Sequence, residues 1–262
     1  MFESTRKKVI FIDWGLYMHK AIFGMQVNPL KIPATYSCLR KILTTIKLIG
    51  LNEGDLVVIC IDGRGNWRKD LDPTYKANRK ALRKDSGIDW NQWFDKFNEL
   101  VEQLEISTPF NYIRLDKIEA DDIISVGCRY FKDYDCTICS SDTDFHQLTS
   151  FHNVKIFSPI KMQYKIVEED PYVTIQKKIR KEATDNLKAK ITSEFEYDVR
   201  RTLVSLLSLP EDIEKKCLDK ILKVKYNKYN INLFPYESLL NLFMTVYEND
   251  NVETYEKALK RH

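Results

Sequence analysis

Three short apolar runs constrain the fold of this chain more than any other feature. They span residues 9–12, 56–61 and 136–139, and segments with other patterns separate them. A largely continuous apolar run of this length is typical of a strand that is buried on both faces, as in a parallel sheet covered by helices. The sequence therefore predicts an α/β fold with a mostly parallel central sheet flanked by helices.

Each of these runs is followed by aspartate. Asp13 and Asp62 come directly after the first two runs, and Asp142 and Asp144 come shortly after the third. Parallel strands point their carboxyl ends toward the same edge of a sheet, and ligands bind at that edge in open α/β sheets. We therefore expect carboxylates from distant parts of the sequence to meet there.

A further acidic group precedes the third run. Glu119, Asp121 and Asp122 come just before an apolar stripe at helical spacing in residues 123–131, so they are expected in the first turn of a helix. Acids favour helix N-termini without any ligand, and a solvated helix start is therefore the alternative. Clustered carboxylates repel one another and are tolerated where a divalent cation neutralises them. Together with the aspartates after the strands, these acids predict a metal site.

Residues 64–84 are strongly basic, although the net charge of the whole chain is only +3. This segment has two acids and eight basic residues, namely Arg64, Arg68, Lys69, Lys76, Arg79, Lys80, Arg83 and Lys84. Pro73 is expected to break the chain before a helix that carries the four basic residues from Lys76 to Arg83 along one face. A charged run is often only a solvated face. Beside a carboxylate cluster, it predicts a polyanionic substrate.

The other patterns complete a two-part organisation. We expect a helix over residues 35–49 that ends at Gly50, an aromatic helix from Trp90 that packs in the core, and strands over residues 110–115, 154–157 and 164–167. The buried face of the first helix is expected to contain Leu39, Ile42, Leu43, Ile46 and Leu48. We place an α/β domain in residues 1–170, with a basic arch at about 64–96, and a helical C-terminal region in residues 171–262.

The composition argues against a membrane or secreted protein. No apolar run approaches the roughly 20 residues that cross a bilayer, and the N-terminal apolar run is interpreted as a first strand. The six cysteines lie mostly in apolar segments, which favours reduced thiols in a cytoplasmic protein. Cys136 and Cys139 have a spacing seen in zinc sites, but no second pair accompanies them.

Four motifs resemble the 5′-nuclease family. They are residues 62–69, 75–79, 119–122 and 141–148, in that order. This family comprises flap endonucleases, the 5′-exonuclease domains of bacterial DNA polymerases and phage enzymes, and the RNase H type of T-even phages is the most similar branch. The resemblance covers roughly residues 8–187 and implies the PIN-like fold of these nucleases. For a phage protein, the host cytoplasm would be the location.

The resemblance implies a structure-selective phosphodiesterase that removes RNA primers and DNA flaps from 5′ ends. It implies two Mg²⁺ ions, for which Mn²⁺ would substitute, and these ions suit a mechanism without a protein nucleophile. The implied metal ligands are Asp13, Asp62, Glu119, Asp121, Asp122, Asp142 and Asp144. Lys76 and Arg79 would contact the scissile phosphate as catalytic residues. The implied nucleic-acid contacts are Arg64, Arg68, Lys69, Tyr75, Lys80, Arg83 and Lys84.

The chain departs from the family pattern after residue 180. The counterpart of a further acidic motif is residues 181–186, in which Glu182 and Asp185 are expected to serve the second cation; an exposed charged helix is the alternative. The last glycine is Gly127, so a glycine-dependent duplex clamp is not expected. The lysines and arginines of residues 177–190 would give only electrostatic contact to the duplex.

The expected partners are branched or nicked DNA and RNA/DNA duplexes with a 5′ end, and replication proteins such as a single-strand binding protein or a clamp. We expect a monomer. Two alternatives to the enzyme stay open. One is a protein of the same fold that binds branched DNA without cutting it, and the other is a metal-free interaction module with acidic and basic surfaces.

Overall fold

The computed structural model describes residues 6–27, 30–180, 191 and 193–247. The strands are β1 (Lys8–Asp13), β2 (Leu56–Ile61), β3 (Asn111–Arg114), β4 (Asp135–Cys139), β5 (Val154–Ser158) and β6 (Gln163–Tyr164). The helices are α1 (Trp14–Val27), α2 (Ala34–Ile49), α3 (Arg68–Leu71), α4 (Asn78–Asp85), α5 (Trp90–Ser107), α6 (Ala120–Tyr130), α7 (Pro171–Arg180), α8 (Glu194–Val204), α9 (Glu211–Ile221) and α10 (Glu237–Val246). Two 3₁₀ helices span Asp144–Ser150 and Ile231–Leu233.

The strands form one sheet in the order β3-β2-β1-β4-β5-β6. All neighbouring pairs are parallel except β5 and β6, which are antiparallel. Asp13 at the end of β1 is level with Cys60 of β2, and Ile12 is level with Cys139 of β4. The chain therefore leaves β1, β2 and β4 at one edge, as the apolar runs predict.

Alternate residues of the central strand face two separate cores. Ile10 and Ile12 pack with apolar side chains of α1, α2, α5 and α10. Val9 and Phe11 pack on the other side with those of α6 and α9. These four side chains of β1, from Val9 to Ile12, are fully buried, which explains why the run is apolar throughout.

Gly63 brings the end of β2 against the segment that leads into α6. Its backbone N–H donates to the carbonyl of Ile118 at 2.8 Å. A Cβ atom at this position would lie 1.8 Å from the carbonyl oxygen of Leu115, so only glycine fits here without a shift of the backbone. This close approach places Asp62 beside the N-terminus of α6.

The helical C-terminal region packs on both faces of the sheet. Helix α9 contacts α6, and α10 contacts α2. The segment after α8 is bound by Gln147, whose side chain donates to the carbonyl of Val204 and accepts from the N–H of Leu206, both at 2.9 Å. The division near residue 170 stays a prediction; the structure begins α7 at Pro171.

The six cysteines are buried free thiols, as the sequence predicts. Phe97 of the aromatic helix is 1% exposed, so this helix packs in the core as expected. Among the described residues, none of the helices combines the length and the apolar character that crossing a membrane requires.

Two expectations about the elements are wrong, and one helix is not predicted. The sequence does not predict α1, because apolar residues occur all around this helix and leave no polar face that would mark an apolar stripe. Leu48 is 56% exposed instead of buried. The last predicted strand, residues 164–167, is reduced to Gln163–Tyr164, a short exposed edge strand. In each case local apolarity is a weak guide at the margin of the core.

Candidate active site

Asp13 lies at the centre of the sheet edge where β1, β2 and β4 end, which we call the acidic edge. Its Oδ2 atom accepts a hydrogen bond from the Ser140 hydroxyl at 2.7 Å, and its Oδ1 atom accepts from the Leu16 N–H at 3.4 Å. Burial raises the pKa of Asp13 to about 6, and the charges of Asp62 and Asp142 oppose its ionisation further. The positive charge near this carboxyl group is therefore too small to stabilise its ionised form.

Asp62 faces the same space as Asp13. Its Oδ1 atom accepts from the N–H of Ala120 at 2.9 Å, at the beginning of α6. A Cβ atom added to Gly15 would lie 3.6 Å from Asp13 Oδ1 and 3.7 Å from Asp62 Oδ2. One carboxylate oxygen of each aspartate thus lies close to the same position beside Gly15.

Asp121 adds a third carboxylate from the first turn of α6. Burial raises its pKa well above the ordinary value, and Lys76 offsets only part of this effect. The charges of Asp13, Glu119 and Asp142 raise the pKa further. Mutual repulsion of this kind is characteristic of carboxylates that share a cation.

Asp142 and Asp144 lie in the loop after β4. The Asp144 N–H donates to Asp142 Oδ1 at 2.8 Å, and the Asp142 N–H donates to the Ser140 hydroxyl at 3.1 Å. Asp144 also forms an ion pair with Lys178 of α7. Nothing in the sequence predicts this pair, because its two members come from separate elements.

Glu119 precedes α6 and contacts two cations of the basic segment. Its Oε2 atom accepts from Arg68 at 3.0 Å and from the Tyr75 hydroxyl at 3.2 Å, and its Oε1 atom accepts from Lys76 Nζ at 2.5 Å. Burial by itself would raise the pKa of Glu119, but Lys76 and Arg68 lower it to about 2. Protein cations already neutralise this acid.

Asp122 differs from its predicted role as a metal ligand. It is fully buried. Its Oδ1 atom accepts from Arg68 at 2.7 Å, and its Oδ2 atom accepts from Arg68 at 3.0 Å and from the Trp67 indole at 2.8 Å. Both oxygens are used inside the protein, because a buried carboxylate requires this compensation.

The predicted helix that begins before Lys76 is also wrong, because α4 starts at Asn78. Lys76 lies in the preceding turn with a φ angle of 52°. Two backbone hydrogen bonds form this turn: the Tyr75 N–H donates to the Asp72 carbonyl, and the Ala77 N–H donates to the Thr74 carbonyl. The turn directs the lysine inward to Glu119, and Arg79 follows on α4.

Two predicted nucleic-acid contacts are buried instead. Arg68 is 2% exposed and Tyr75 is 4% exposed, so both side chains stabilise the acidic helix start rather than an external surface. Arg83 is exposed, but its guanidinium lies 5.7 Å from the Trp90 ring centre and 5.4 Å from that of Phe94. Arg64, Lys69, Arg79 and Lys84 are exposed, and Lys80 lies on α4.

Some predicted positions lie outside the described residues. Glu182 and Asp185 are among them, so their role at a second cation stays a prediction. The basic residues Lys177, Lys178 and Arg180 lie on α7, just before that part of the chain.

The remaining carboxylates fit a hard divalent cation by their chemistry. Asp13, Asp62, Asp121 and Asp142 supply only oxygen atoms, and Mg²⁺ prefers oxygen ligands and retains several waters. Within the described ranges, no three acidic, histidine or cysteine side chains converge closely enough to enclose an ion as they stand. Binding would therefore proceed through water or with small side-chain movements.

Comparisons with known proteins identify similar sequences and similar folds. The family model "5′-3′ exonuclease, N-terminal resolvase-like domain" matches residues 8–190. Ribonuclease H of Enterobacteria phage T4 is 32% identical over 190 residues, which cover 68% of this chain and 62% of that protein. Exonuclease of Escherichia phage T7 is 36% identical over 96 residues, which cover 35% of this chain and 29% of that protein. The match thus spans about three fifths of the T4 protein.

Solved structures share the fold. The 5′-exonuclease of phage T5 with bound divalent metal ions (zinc) superimposes with a TM-score of 0.64 at 16% identity, covering 83% of this chain and 99% of that one. A complex of the T5 D15 flap endonuclease with DNA and metal ions gives a TM-score of 0.56 at 17% identity, covering 93% and 99%.

The PIN-like α/β fold predicted from the motifs is therefore confirmed. The match of the family model covers more than half of the sequence and includes every described acid of the site. This chain belongs to the 5′-3′ exonuclease family, as its motifs indicate.

Proposed function

We propose that this protein is a divalent-metal-dependent, structure-selective 5′-nuclease that hydrolyses phosphodiesters at 5′ ends or flaps. Its role would be the removal of RNA primers or DNA flaps during replication or repair. The observation that carries the proposal is the meeting of Asp13, Asp62, Asp121 and Asp142 at one sheet edge without enough positive charge. The family and the names of the phage relatives support the same reaction class.

The cofactor would be Mg²⁺, with two ions as the expected number and Mn²⁺ as a substitute. Bound divalent ions supply a hydroxide nucleophile at neutral pH and stabilise the charge on the transferring phosphate. Asp13, Asp62, Asp121 and Asp142 would hold them, with Asp144 and one oxygen of Glu119 nearby. The T5 structures contain divalent metal ions, which supports this type of cofactor.

The basic segment would bind and orient the substrate. Lys76 lies beside Glu119 and within electrostatic range of Asp62 and Asp121, so a phosphate held at the acidic edge would lie next to its ammonium group. Arg79 is exposed on the next turn. A cation positioned in this way stabilises charge that develops on the phosphate. The exposed cations Arg64, Lys69 and Lys84 would contact the nucleic-acid backbone.

The substrates would be branched or nicked DNA and RNA/DNA duplexes with a 5′ end. Replication proteins such as a single-strand binding protein or a clamp are proposed partners, and we propose a monomer that acts in the cytoplasm. The phosphodiester chemistry requires no second subunit, because one chain contributes both the acids and the cations.

A binding protein that holds branched DNA without cutting it is the second candidate. Two ion pairs favour it, Lys76 with Glu119 and Lys178 with Asp144, because protein cations then occupy carboxylates that a divalent ion would need. In that case the chain would bind a 5′ flap equally well with and without Mg²⁺.

One experiment separates the two candidates. A duplex with a labelled 5′ flap is incubated with the protein in Mg²⁺, in Mn²⁺ and in EDTA, and products and binding are measured together. The nuclease predicts cleavage in either metal and none in EDTA. Binding without cleavage of flapped, nicked or RNA-primed duplexes in any metal would contradict the nuclease and support the binding protein.

A further inference from the structure

Arg68 is the largest fully buried side chain among the described residues. It starts the short helix α3, at the base of the basic segment. A buried guanidinium is costly unless each of its donors finds an acceptor. This position, with 2% exposure, therefore points to a specific role inside the protein.

The contacts of Arg68 join three parts of the chain. Its Nη1 atom donates to Glu119 Oε2 and to Asp122 Oδ2, both at 3.0 Å, and its Nη2 atom donates to Asp122 Oδ1 at 2.7 Å. Its Nε atom donates to the carbonyl of Leu203 in α8 at 2.9 Å. The guanidinium also lies 4.4 Å from the Trp67 ring centre. Such a two-sided, planar contact fixes the direction of both carboxylates.

The two oxygens of Glu119 have different surroundings as a result. Arg68 and Tyr75 hold Oε2 on the buried side. The other oxygen, Oε1, is turned toward Lys76 Nζ, which lies within electrostatic range of Asp62 and Asp121. Without Arg68, no charge would hold Oε2 inward and the carboxylate would be able to rotate.

We propose that Arg68 is a positioning residue that fixes Glu119 so that one oxygen faces the acidic edge, and that it ties this orientation to α8 through Leu203. This inference rests on the proposed function of the acidic edge as a divalent-metal site. It assigns Arg68 to the support of a carboxylate beside that metal site instead of to the nucleic acid. Outer contacts of this type change metal affinity or activity by about 10- to 100-fold when they are removed.

The test uses the full chain and measures metal binding directly. Mn²⁺ affinity is determined by electron paramagnetic resonance for the wild type, Arg68→Lys, Asp122→Asn and the double variant Arg68→Met with Asp122→Asn. The double variant removes both buried charges together, so that neither is left without its partner. Circular dichroism and thermal unfolding establish the temperature range in which each variant is folded, and Mn²⁺ binding is measured within that range.

We expect the double variant to bind Mn²⁺ about 10-fold or more weakly than Asp122→Asn alone, and Arg68→Lys to be intermediate, because a lysine keeps the charge without the planar fork. Affinity for flapped DNA in EDTA should stay within about twofold of the wild type. The flap cleavage of the double variant should require a correspondingly higher Mg²⁺ concentration.

Arg129→Met is the matched control. Arg129 also donates to carbonyls after α8, those of Leu206 at 3.0 Å and Leu207 at 3.5 Å, but its side-chain partners are Ser125 and Glu214. Its removal should lower stability without changing Mn²⁺ affinity. Folded Arg68 variants that bind Mn²⁺ as well as the wild type would overturn the positioning role. A wild-type protein that neither binds Mn²⁺ nor cleaves a flap would instead overturn the proposed function.

Discussion

Two groups of carboxylates lie in the same part of the molecule and differ in what surrounds them. Glu119 and Asp122, at the start of α6, contact Arg68 and other donors of the basic segment. Asp13 and Asp121 lie in a region where the nearest charges are mostly other carboxylates. The first group is neutralised by the protein, whereas the second group still requires positive charge.

This difference separates structural charges from charges that are available to ligands. A buried ion pair contributes little net stability, but the loss of one member is costly. Buried carboxylates with too little positive charge around them instead reduce stability until a cation binds. The basic segment divides in the same way, because Arg68 is buried while Lys69 and Lys84 are exposed.

The largest effect should come from breaking the neutralised group. Asp122→Ala leaves Arg68 buried without its bidentate partner, and we expect the free energy of unfolding to fall by about 3 to 5 kcal/mol. Urea unfolding monitored by circular dichroism measures this change. Asp116→Ala, at an exposed position before the same helix, is the control and should change stability by less than about 0.5 kcal/mol. Equal stability of the two variants would show that the ion pair is not required.

The second group should respond in the opposite way. Asp142→Asn removes one of the mutually repelling charges, so the protein should stay folded with a melting temperature equal to or above that of the wild type. Flap cleavage should fall by about 100-fold or more, equivalent to at least roughly 2.7 kcal/mol, because the variant loses a candidate ligand. Near-normal cleavage in millimolar Mg²⁺ would place the site elsewhere.

The pH dependence of stability should distinguish the two groups in EDTA. Asp13 has a pKa near 6 in the folded protein against 3.8 ordinarily, so it stabilises the fold only below about pH 4, and this contribution is lost as pH rises to 6. Glu119 has a pKa near 2 against 4.5, so its contribution is present above pH 4.5 and is lost as pH falls to 2. Each shift corresponds to about 3 kcal/mol.

Unfolding curves from pH 2 to 7 for the wild type, Asp13→Asn and Glu119→Gln test this assignment. Asp13→Asn should reduce the loss of stability between pH 4 and 6, to which Asp121 with its raised pKa also contributes, and excess Mg²⁺ should suppress this loss in the wild type. Glu119→Gln should remove the loss at low pH. If Asp13→Asn kept the full slope between pH 4 and 6, another group would be responsible.

The sequence predicts the architecture well because the buried strands carry a local signal. The runs that end at Asp13 and Asp62 are apolar because helices cover both faces, and parallel pairing then fixes where the aspartates lie. A short stretch of sequence does not reveal which carboxylates the protein neutralises and which stay available to a ligand. Arg68 and Asp122 are distant in sequence and meet only after α3 packs on α6, so no spacing rule distinguishes Asp122 from Asp121.

The smallest expected effect concerns two neighbouring cations of α4. The guanidinium of Arg83 lies over the rings of Trp90 and Phe94, and the Trp90 indole donates to its carbonyl at 3.2 Å. Cation–π contacts of this kind contribute about 0.5 to 1 kcal/mol at exposed sites. Arg83→Ala should therefore lower stability by about that amount, and Lys84→Ala should not.

Salt dependence provides the complementary measurement. Lys84 is exposed, and if it contacts a phosphate, its removal should reduce the salt slope of duplex binding by about one. Arg83→Ala should leave that slope nearly unchanged. It should also raise the pKa of His19, which burial, Arg83 and Arg79 lower to about 4, and nuclear magnetic resonance can follow this titration. If Arg83→Ala instead reduces the salt slope and leaves the His19 pKa unchanged, Arg83 is a phosphate contact. The charge of Arg83 would then act on the nucleic acid and not on the packing of α4.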